Sequence, residues 1–457
     1  PEVPEDGIYA YPYFTSYVRN LLMEEDNPFG CSYASLFEGG LTIRTTLNPS
    51  LQDDAEAACA AQRARMSGDL DASLVAIDPA TGYVEAMVGG GDYDISQVNI
   101  ATGTGGGGRQ AGSTFKAFTL AAAIEKGISP QTRIDCSSPM TKEVDGREQT
   151  FENFDNIDYG VRTIQSATAV SANTGYLRLS EEIGQAATTE MAERLGVESP
   201  MSTVYTTTLG VASVTPLDMA NAYATLASGG TKREPVVITE IEDKDGNIIY
   251  KADDTSKRVI SEEVAGATTN VLRQVFEASD GTAQTAKLGN GQPVAGKTGT
   301  STDFADHWLV GYTPSLSVAT WIGNPAGSIA TDTQLNCNAL WKDFMDRACA
   351  GKAVEQFPET KAPSYNNAFN EKQKAALGAE EEKSSEKQTP TAITSGSQTA
   401  TSSQASGTAN AKTPPDATGK TLEEAKELLK DWKAGSVTEY SSTVPKDSVI
   451  RQYIASD

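Results

Sequence analysis

Residues 296–323 read GKTGTSTDFADHWLVGYTPSLSVATWIG and contain short apolar runs that are typical of β-strands. The predicted strands are 293–300, 307–313 and 316–323. The connections at 302–303 and 313–315 are short, which favours antiparallel neighbours. A helical pattern follows at 338–348. This part of the chain therefore predicts an antiparallel meander that ends in a helix.

Further strand and helix signals lie upstream of the meander. Residues 73–88 predict a hairpin, because Asp-Pro-Ala-Thr-Gly at 78–82 places Pro and Gly where a turn needs them. Residues 128–235 look mostly helical with loops. An early hairpin, a helical insert and three late strands predict an α+β fold, with an antiparallel five-stranded sheet flanked by helices. The shorter predicted elements are a strand at 41–46 and helices at 9–23, 48–66 and 113–124.

The last fifth of the chain has a different composition. Residues 365–412 hold mainly Ser, Thr, Gln, Ala, Lys and Glu, with too little apolar surface to form a core. Beyond them, Thr421 and Glu424 have the spacing of a helix capping box, and 437–440 and 449–454 resemble strands, so a small α/β module is expected. The predicted divisions are 1–45 (a linker region), 46–360 (the main domain), 361–412 (a low-complexity linker) and 413–457 (an incomplete small module).

The formal net charge of −24 disfavours nucleic acid or an anionic membrane as partner, since both attract basic surfaces. No apolar run approaches the ~18 residues that a membrane helix needs. The chain begins at Pro1 without a signal peptide. We therefore expect a processed or trimmed piece, whose membrane anchor belongs to the full-length protein.

The cysteines and the single histidine limit the possible chemistry. Five cysteines without a Cys-x-x-Cys spacing disfavour a zinc or dithiol site. Cys337 and Cys349 flank a predicted helix of roughly 18 Å, too long for a disulfide, whereas Cys31 with Cys59 is possible. His307 lies in a predicted strand and is expected to be half-buried. A Ser-His-Asp triad or a histidine metal site would have to use this residue alone.

Two short motifs carry groups suited to nucleophilic catalysis. Ser113 and Lys116 share one face of a predicted helix start, where a neutral amine can take the hydroxyl proton. Ser171 and Asn173 lie at a predicted bend, where a hydroxyl can relay protons and an amide can hold a carbonyl or an amine. Singly, such matches are weak, because Ser-x-x-Lys recurs at 384–387 within the low-complexity segment.

A third motif, Lys297-Thr298-Gly299-Thr300, lies on the first strand of the meander. The lysine supplies positive charge, and the threonine hydroxyls can bind a carboxylate. The glycine lets another backbone lie against the strand. A peptide substrate could therefore pair with this strand. Three motifs in this order, on these element types, form the set of serine acyl-transfer enzymes.

With these motifs the chain resembles high-molecular-weight penicillin-binding proteins of class A over roughly residues 9–358, and residues 414–457 are similar to a PASTA module. The resemblance implies the penicillin-binding and serine β-lactamase fold. It also implies a D,D-transpeptidase that cross-links peptidoglycan stem peptides outside the membrane, is inhibited by β-lactams and needs no cofactor or metal. A glycosyltransferase domain is expected in the full-length protein. The segments that carry the resemblance are 41–52, 78–82, 109–116, 214–230, 281–283 and 296–323.

The family's roles transfer to single residues. By resemblance, Ser113 is the acylated serine and Lys116 its base, and the backbone N–H groups of Ser113 and Thr300 form the oxyanion hole. Ala111 and Ala117 stand where the family often has proline, which alters stiffness more than chemistry. The residues matching the family's motifs are Ser113, Lys116, Ser171, Asn173, Lys297, Thr298, Gly299 and Thr300.

Other functions remain open at this point. A class A β-lactamase carries Glu-x-x-Leu-Asn between the second and third motifs, but no Leu-Asn pair occurs between Asn173 and Lys297. A D,D-carboxypeptidase that uses water as acceptor fits the same motifs. A non-catalytic β-lactam or muropeptide sensor would not need the intact Ser113. Nucleotide binding is disfavoured, because Gly107 and Gly112 have P-loop spacing without the lysine that must follow.

Overall fold

A computed structural model describes residues 10–366 and 368–375 of the chain. None of the helices in these two ranges is both long and apolar enough to cross a membrane. The predicted module at 413–457 and most of the predicted linker lie outside the described residues. The helices include α1 (Pro12–Met23), α2 (Tyr33–Glu38), α3 (Pro49–Arg63), α4 (Lys116–Glu125), α5 (Ile164–Ala169), α6 (Asn173–Ile183), α7 (Ala186–Leu195), α8 (Pro216–Ala227), α9 (Glu262–Glu277) and α10 (Asn338–Ala348).

The named strands of the described residues all lie between Thr42 and Gly323. They are β1 (Thr42–Thr45), β2 (Asp71–Ile77), β3 (Val84–Val88), β4 (Arg109–Gln110), β5 (Arg133–Asp135), β6 (Met140–Val144), β7 (Arg147–Phe151), β8 (Val161–Thr163), β9 (Ser213–Val214), β10 (Thr231–Lys232), β11 (Ile238–Glu242), β12 (Ile248–Lys251), β13 (Lys257–Arg258), β14 (Ala295–Thr300), β15 (Asp306–Tyr312) and β16 (Ser317–Gly323). The predicted hairpin and the predicted meander correspond to β2–β3 and β14–β16.

The central sheet has five strands in the order β14-β15-β16-β2-β3, and every neighbouring pair is antiparallel. The predicted α+β fold with an antiparallel five-stranded sheet is thus confirmed. Strand β16 joins the two parts of the chain, because Ser317 pairs with Ile77. Strand β14 is an edge strand, so one side of its backbone lacks a partner within the sheet.

Alternation along the strands divides the interior into two apolar clusters, one on each face of the sheet. Val75 and Val310 face a cluster that includes α4, α6 and α8. Their neighbours Leu74 and Leu309 face a second cluster with α3 and α10. The strands are therefore covered on both faces, which explains why β15 and β16 are buried throughout.

Helix α4 lies at the centre of the first cluster. All of its residues except Glu125 are buried, and it contacts α6, α7 and α9. A helix that is apolar on all sides must lie in a core, and the run Ala-Phe-Thr-Leu-Ala-Ala-Ala-Ile satisfies this condition. Lys116 opens the helix and is itself 0% exposed. The fold thus buries one lysine at the edge of the core, next to the surface between the starts of α4 and α6 and strand β14, which we call the cleft.

The prediction that 128–235 is mostly helical is wrong for its first third, where β5 to β8 lie between α4 and α5. Strands β6 and β7 form a hairpin whose turn residues Asp145 and Gly146 have φ of +51° and +72°. Most side chains of this hairpin are exposed, so it lacks the apolar alternation that marks a half-buried strand. Its turn is formed by Asp-Gly, a common signal for a two-residue hairpin connection.

The cysteine thiols and the histidine are buried in the described part of the chain. All five cysteines, which all lie in the described part of the chain, are buried and free, so the possible Cys31–Cys59 disulfide is not formed. Cys337 and Cys349 cap the two ends of α10 and do not pair, as predicted. His307 lies on β15 as predicted but is 1% exposed rather than half-buried.

Candidate active site

Ser113 and Lys116 lie on one continuous turn at the start of α4. A 3-10 helix spans Gly112–Phe115, and Lys116 begins the α-helix that follows. Ser113 is half-buried, whereas Lys116 is buried. Gly112 has φ of +55°, a conformation that glycine adopts without steric cost, and this residue sets the direction in which the turn begins. The local sequence therefore directs a serine to the cleft and a lysine beneath it.

The second motif lies where α5 gives way to α6. Ser171 has φ of +60°, and Asn173 is the first residue of α6. The Lys116 amine donates to the Ser171 carbonyl oxygen at 2.6 Å and to Asn173 Oδ1 at 2.7 Å, and its Nζ lies 3.2 Å from Ser171 Oγ. Three oxygens thus surround the amine and fix its position below the cleft.

The third motif faces the second from strand β14. The Lys297 amine donates to Ser171 Oγ at 2.8 Å and to the Thr298 carbonyl oxygen at 3.0 Å. Ser171 Oγ therefore lies between the amines of Lys116 and Lys297. The Thr298 hydroxyl is hydrogen-bonded to the Thr282 hydroxyl at 2.6 Å, and both Thr298 and Thr300 are half-buried at the cleft. The Ser171 hydroxyl thus connects the second motif to the third, although Ser171 and Lys297 are 126 residues apart in the sequence.

Burial determines the charge of the two lysines. It lowers the pKa of Lys116 well below 10.5, and the nearby positive charge of Lys297 lowers it further. Burial also lowers the pKa of Lys297, to about 7. The ring of Tyr176, centred 5.6 Å from Lys116 Nζ, acts in the opposite direction and favours the protonated amine. The arrangement therefore favours the uncharged form of Lys116, beside a Lys297 that can hold a proton near neutral pH.

The backbones of the first and third motifs are in contact. A Cβ atom on Gly112 would lie 2.5 Å from the Thr300 carbonyl oxygen, and one on Gly299 would lie 2.6 Å from the Ala111 carbonyl oxygen. Only glycine permits this approach, which brings the turn that carries Ser113 against the end of β14. The oxyanion hole formed by the N–H groups of Ser113 and Thr300 stays a prediction, and this packing is what it requires.

Sequence reasoning missed Asn153, which supports the second motif. Its side chain is 3% exposed, accepts from the N–H groups of Asn173 at 2.8 Å and Thr174 at 3.2 Å, and donates to the carbonyl oxygens of Cys136 and Ile157. These bonds fix the start of α6 and hence Asn173 Oδ1. No motif marks this residue, because its partners are 20 or more positions away or lie in an irregular loop.

Two further aromatic side chains meet across the cleft. Phe154 follows Asn153 on the α6 side, and Phe304 lies in the connection between β14 and β15. Their ring centroids are 5.8 Å apart in an edge-to-face arrangement. His307 lies beside this connection, where its Nε2 is 2.6 Å from the Thr331 hydroxyl and 3.1 Å from the Phe304 carbonyl oxygen. The histidine therefore supports a loop rather than the Ser113 hydroxyl.

Comparison with known families agrees with this geometry. Residues 72–333 match the penicillin binding protein transpeptidase domain. The chain belongs to this family. Residues 412–457 match the PASTA domain. The matched transpeptidase range contains all three motifs and the whole central sheet except Asp71, the first residue of β2.

Relatives of this chain support the assignment. Penicillin-binding protein 1A of Mycolicibacterium smegmatis is 32% identical over 400 residues, which cover 79% of this chain and 48% of the relative. The chain spans about half the length of the curated relatives it matches. The penicillin-binding protein PonA1 of Mycobacterium tuberculosis aligns with a TM-score of 0.67 and 29% identity, covering 77% of this chain and 94% of that one. PonA1 has also been solved in complex with penicillin V, and that structure aligns with a TM-score of 0.66.

Proposed function

We propose that this transpeptidase family member is a serine D,D-transpeptidase that cross-links peptidoglycan stem peptides through an acyl-enzyme on Ser113. The observation that carries the proposal is the buried Lys116 amine, which is held by Ser171 and Asn173 and has a strongly lowered pKa. A neutral amine one helical turn from a half-buried serine is the general base that acyl transfer needs.

Acylation begins at the peptide bond between the last two residues of a donor stem ending in D-Ala-D-Ala. Ser113 Oγ attacks the carbonyl carbon while Lys116 takes the hydroxyl proton, and the carbonyl oxygen becomes an oxyanion held by the N–H groups of Ser113 and Thr300. Collapse of the tetrahedral intermediate breaks the C–N bond. The departing D-Ala amine takes up a proton. Ser171 Oγ can relay this proton from Lys116, because Ser171 Oγ lies 3.2 Å from Lys116 Nζ.

Strand β14 is the proposed binding surface for the donor. It is an edge strand, so an extended peptide can add to its free side through backbone hydrogen bonds. Lys297 supplies positive charge toward the terminal carboxylate, and the hydroxyls of Thr298 and Thr300 can donate to it. A bound carboxylate near Lys297 would raise the pKa of this lysine above its value of about 7 and keep it charged.

The acyl-enzyme is resolved when an amine of a second stem peptide attacks the ester carbonyl and Ser113 regains its proton. Water in place of that amine would make the enzyme a D,D-carboxypeptidase. A β-lactam would acylate the same serine, but its ring-opened product keeps the leaving amine tethered and deacylates slowly. Penicillin should therefore act as an inhibitor of this chain, and the PonA1 complex with penicillin V supports that expectation.

The proposal extends to the context of the full-length protein. Relatives named penicillin-binding protein 1A are about twice as long as the matched region, which leaves room for the expected glycosyltransferase domain and membrane anchor. A transpeptidase joined to a PASTA domain fits the extracytoplasmic face of a bacterial membrane, where the cell wall is assembled.

Intact-protein mass spectrometry after incubation with benzylpenicillin tests the proposal. The wild type should gain one adduct that persists, and Ser113→Ala should gain none. Ser384→Ala is the matched control, because it removes the serine of the second Ser-x-x-Lys sequence and should react as the wild type does. Rapid hydrolysis of the drug without an adduct would favour a β-lactamase, and an intact drug without an adduct would favour a non-catalytic sensor.

A second assay identifies the acceptor. The chain is incubated with a D-Ala-D-Ala pentapeptide, with and without an added amino acceptor, and the products are separated by mass. Amide products with release of D-Ala support transpeptidation. If tetrapeptide alone forms at every acceptor concentration, the enzyme is a D,D-carboxypeptidase.

A further inference from the structure

A buried carboxylate outside the three motifs lies directly behind the end of β14. Asp306 is the first residue of β15 and is 2% exposed. Its Oδ2 accepts from the Ser301 hydroxyl at 3.2 Å, and its N–H donates to the same hydroxyl oxygen at 2.8 Å. The Ser301 N–H in turn donates to the Asp306 carbonyl oxygen at 2.9 Å. Three hydrogen bonds therefore fix the residue that follows Thr300.

The other carboxylate oxygen of Asp306, Oδ1, is connected through Trp321 to the segment that carries Ser113. Oδ1 accepts from the indole N–H of Trp321 at 2.9 Å, and the guanidinium carbon of Arg109 lies 5.1 Å from the centre of the same indole ring. Arg109 opens the short strand β4, four residues before Ser113, and donates to the Pro325 carbonyl oxygen at 2.5 Å. The indole thus contacts the carboxylate through its edge and the cation through its face.

A second tryptophan on β15 holds the same segment. The indole N–H of Trp308 donates to the Gln110 carbonyl oxygen at 2.7 Å. The backbone N–H of Gln110 also favours the ionised form of Asp306. Strand β15 therefore holds β4 through two side chains that are two residues apart, Asp306 and Trp308, and both lie on the side of the sheet next to the catalytic turn.

The charges of Asp306 and Arg109 depend on each other. Burial raises the pKa of Asp306, and the positive charge of Arg109 opposes this effect. Burial likewise lowers the pKa of Arg109, and the charge of Asp306 opposes that. Removal of the carboxylate would leave a cation that is 6% exposed without its compensating charge, which favours displacement of β4.

We infer that Asp306 is a positioning residue for the oxyanion hole: through Ser301 and Trp321 it holds the N–H groups of Thr300 and Ser113 at a fixed separation. The inference rests on the proposed acyl transfer at Ser113. Donors of this kind act on the charge that develops in the transition state, so their misplacement slows acylation while the non-covalent complex still forms. A displacement of about 1 Å can lower a rate roughly a hundredfold.

The test is stopped-flow acylation by benzylpenicillin, analysed for the acylation rate constant and for the dissociation constant of the non-covalent complex. Asp306→Asn keeps the size of the side chain but removes the negative charge. Its acylation rate constant should fall on the order of ten- to a hundredfold, with a dissociation constant within about twofold of wild type. Trp321→Phe removes the indole N–H but keeps an aromatic ring near Arg109, so its acylation rate constant should fall by a smaller factor.

Asp71 provides the matched control. It lies at the same end of the sheet on β2, where it accepts from the N–H groups of Ala72 at 2.7 Å and Gly91 at 2.9 Å and pairs with Arg63. Strand β2 pairs with β16 and β3 and does not adjoin β14. Asp71→Asn should therefore lower the melting temperature while acylation stays within about twofold of wild type.

Three results would overturn the inference. The first is a folded Asp306→Asn variant that acylates at the wild-type rate. The second is an equal loss of acylation in Asp71→Asn, and the third is a loss confined to the dissociation constant. If Asp306→Asn does not fold, wild-type acylation by Trp321→Phe overturns it. If the wild type itself forms no adduct that Ser113→Ala abolishes, the proposed function has failed rather than the role of Asp306.

Discussion

Ser171 has a strained backbone conformation, and its hydroxyl lies between the amines of Lys116 and Lys297. Substitutions can separate the effect of the strain from the effect of the hydroxyl. The φ of +60° at Ser171 costs a residue with a Cβ about 1–2 kcal/mol, a cost that glycine avoids. Glycine also loses more freedom on folding, worth about 0.4–1 kcal/mol. We therefore expect Ser171→Gly to be more stable than Ser171→Ala by about 0.5–1 kcal/mol, while neither variant has the hydroxyl between Lys116 and Lys297.

Both variants should lose acylation to the same degree. A proton relay contributes on the order of 10²–10⁴ in rate, so benzylpenicillin acylation should fall within that range for each. The stability difference should appear as a melting temperature about 1–3 °C higher for Ser171→Gly, measured at one scan rate. The amine of Lys116 should stay in place, because it retains the Ser171 carbonyl oxygen and Asn173 Oδ1 as acceptors.

A matched pair at the β6–β7 turn controls for backbone strain alone. Asp145 also has a positive φ, of +51°, and is exposed in that hairpin. Asp145→Gly should likewise exceed Asp145→Ala in stability, with acylation unchanged in both. If Ser171→Gly is no more stable than Ser171→Ala while the Asp145 pair differs, the explanation by strain at Ser171 is wrong. If either Ser171 variant is acylated at the wild-type rate, the Ser171 hydroxyl of the wild type has no part in proton transfer.

Two further predictions concern charge and close packing. The second-order rate constant for acylation, which reports on the free enzyme, should rise with pH as Lys116 loses its proton and fall as Lys297 loses its own near pH 7, as measured by stopped flow between pH 5 and 10. Lys297→Arg should flatten the falling side, since arginine stays charged, and an unchanged falling side would assign it to another group. Gly112→Ala should lower acylation on the order of a hundredfold, because the added Cβ would lie 2.5 Å from the Thr300 carbonyl oxygen. At Gly146 φ is +72°, and no atom would lie within 4 Å of an added Cβ. Gly146→Ala should therefore lower the free energy of unfolding by only about 1 kcal/mol in melting experiments and leave acylation intact.

The sequence predicted the sheet because its strands carry strong local signals. Residues 306–312 and 317–323 are rich in apolar residues and bounded by turn residues, and the observed strands differ from the predicted ones by one or two positions. The α+β pattern predicted one sheet from the early hairpin and the late meander, but it did not predict the strand order, which depends on the pairing of β16 with β2. Hairpin β6–β7 was not predicted, because its strands are exposed and lack an apolar alternation, although Asp145-Gly146 is a recognisable turn signal.

The candidate site was predictable in its motifs but not in its supports. Lys116, Ser171, Asn173 and Lys297 were named from their spacing, and the structure joins all four by hydrogen bonds. Asn153 supports the second motif from 20 residues away. Such residues have no local pattern, because their role depends on which loops the fold brings together.

The five buried thiols give the folded chain position-specific reporters of its own opening. Cys136 and Cys31 belong to the cluster around α4, whereas Cys59, Cys337 and Cys349 belong to the cluster beneath α3 and α10. Burial raises the pKa of Cys59 and of Cys136 to about 12, so neither reacts as a thiolate while it is enclosed. The rate at which an alkylating reagent labels each cysteine therefore measures how often the cluster around that cysteine unfolds. A comparison of the labelling rates in the two clusters would show whether the clusters open together or separately.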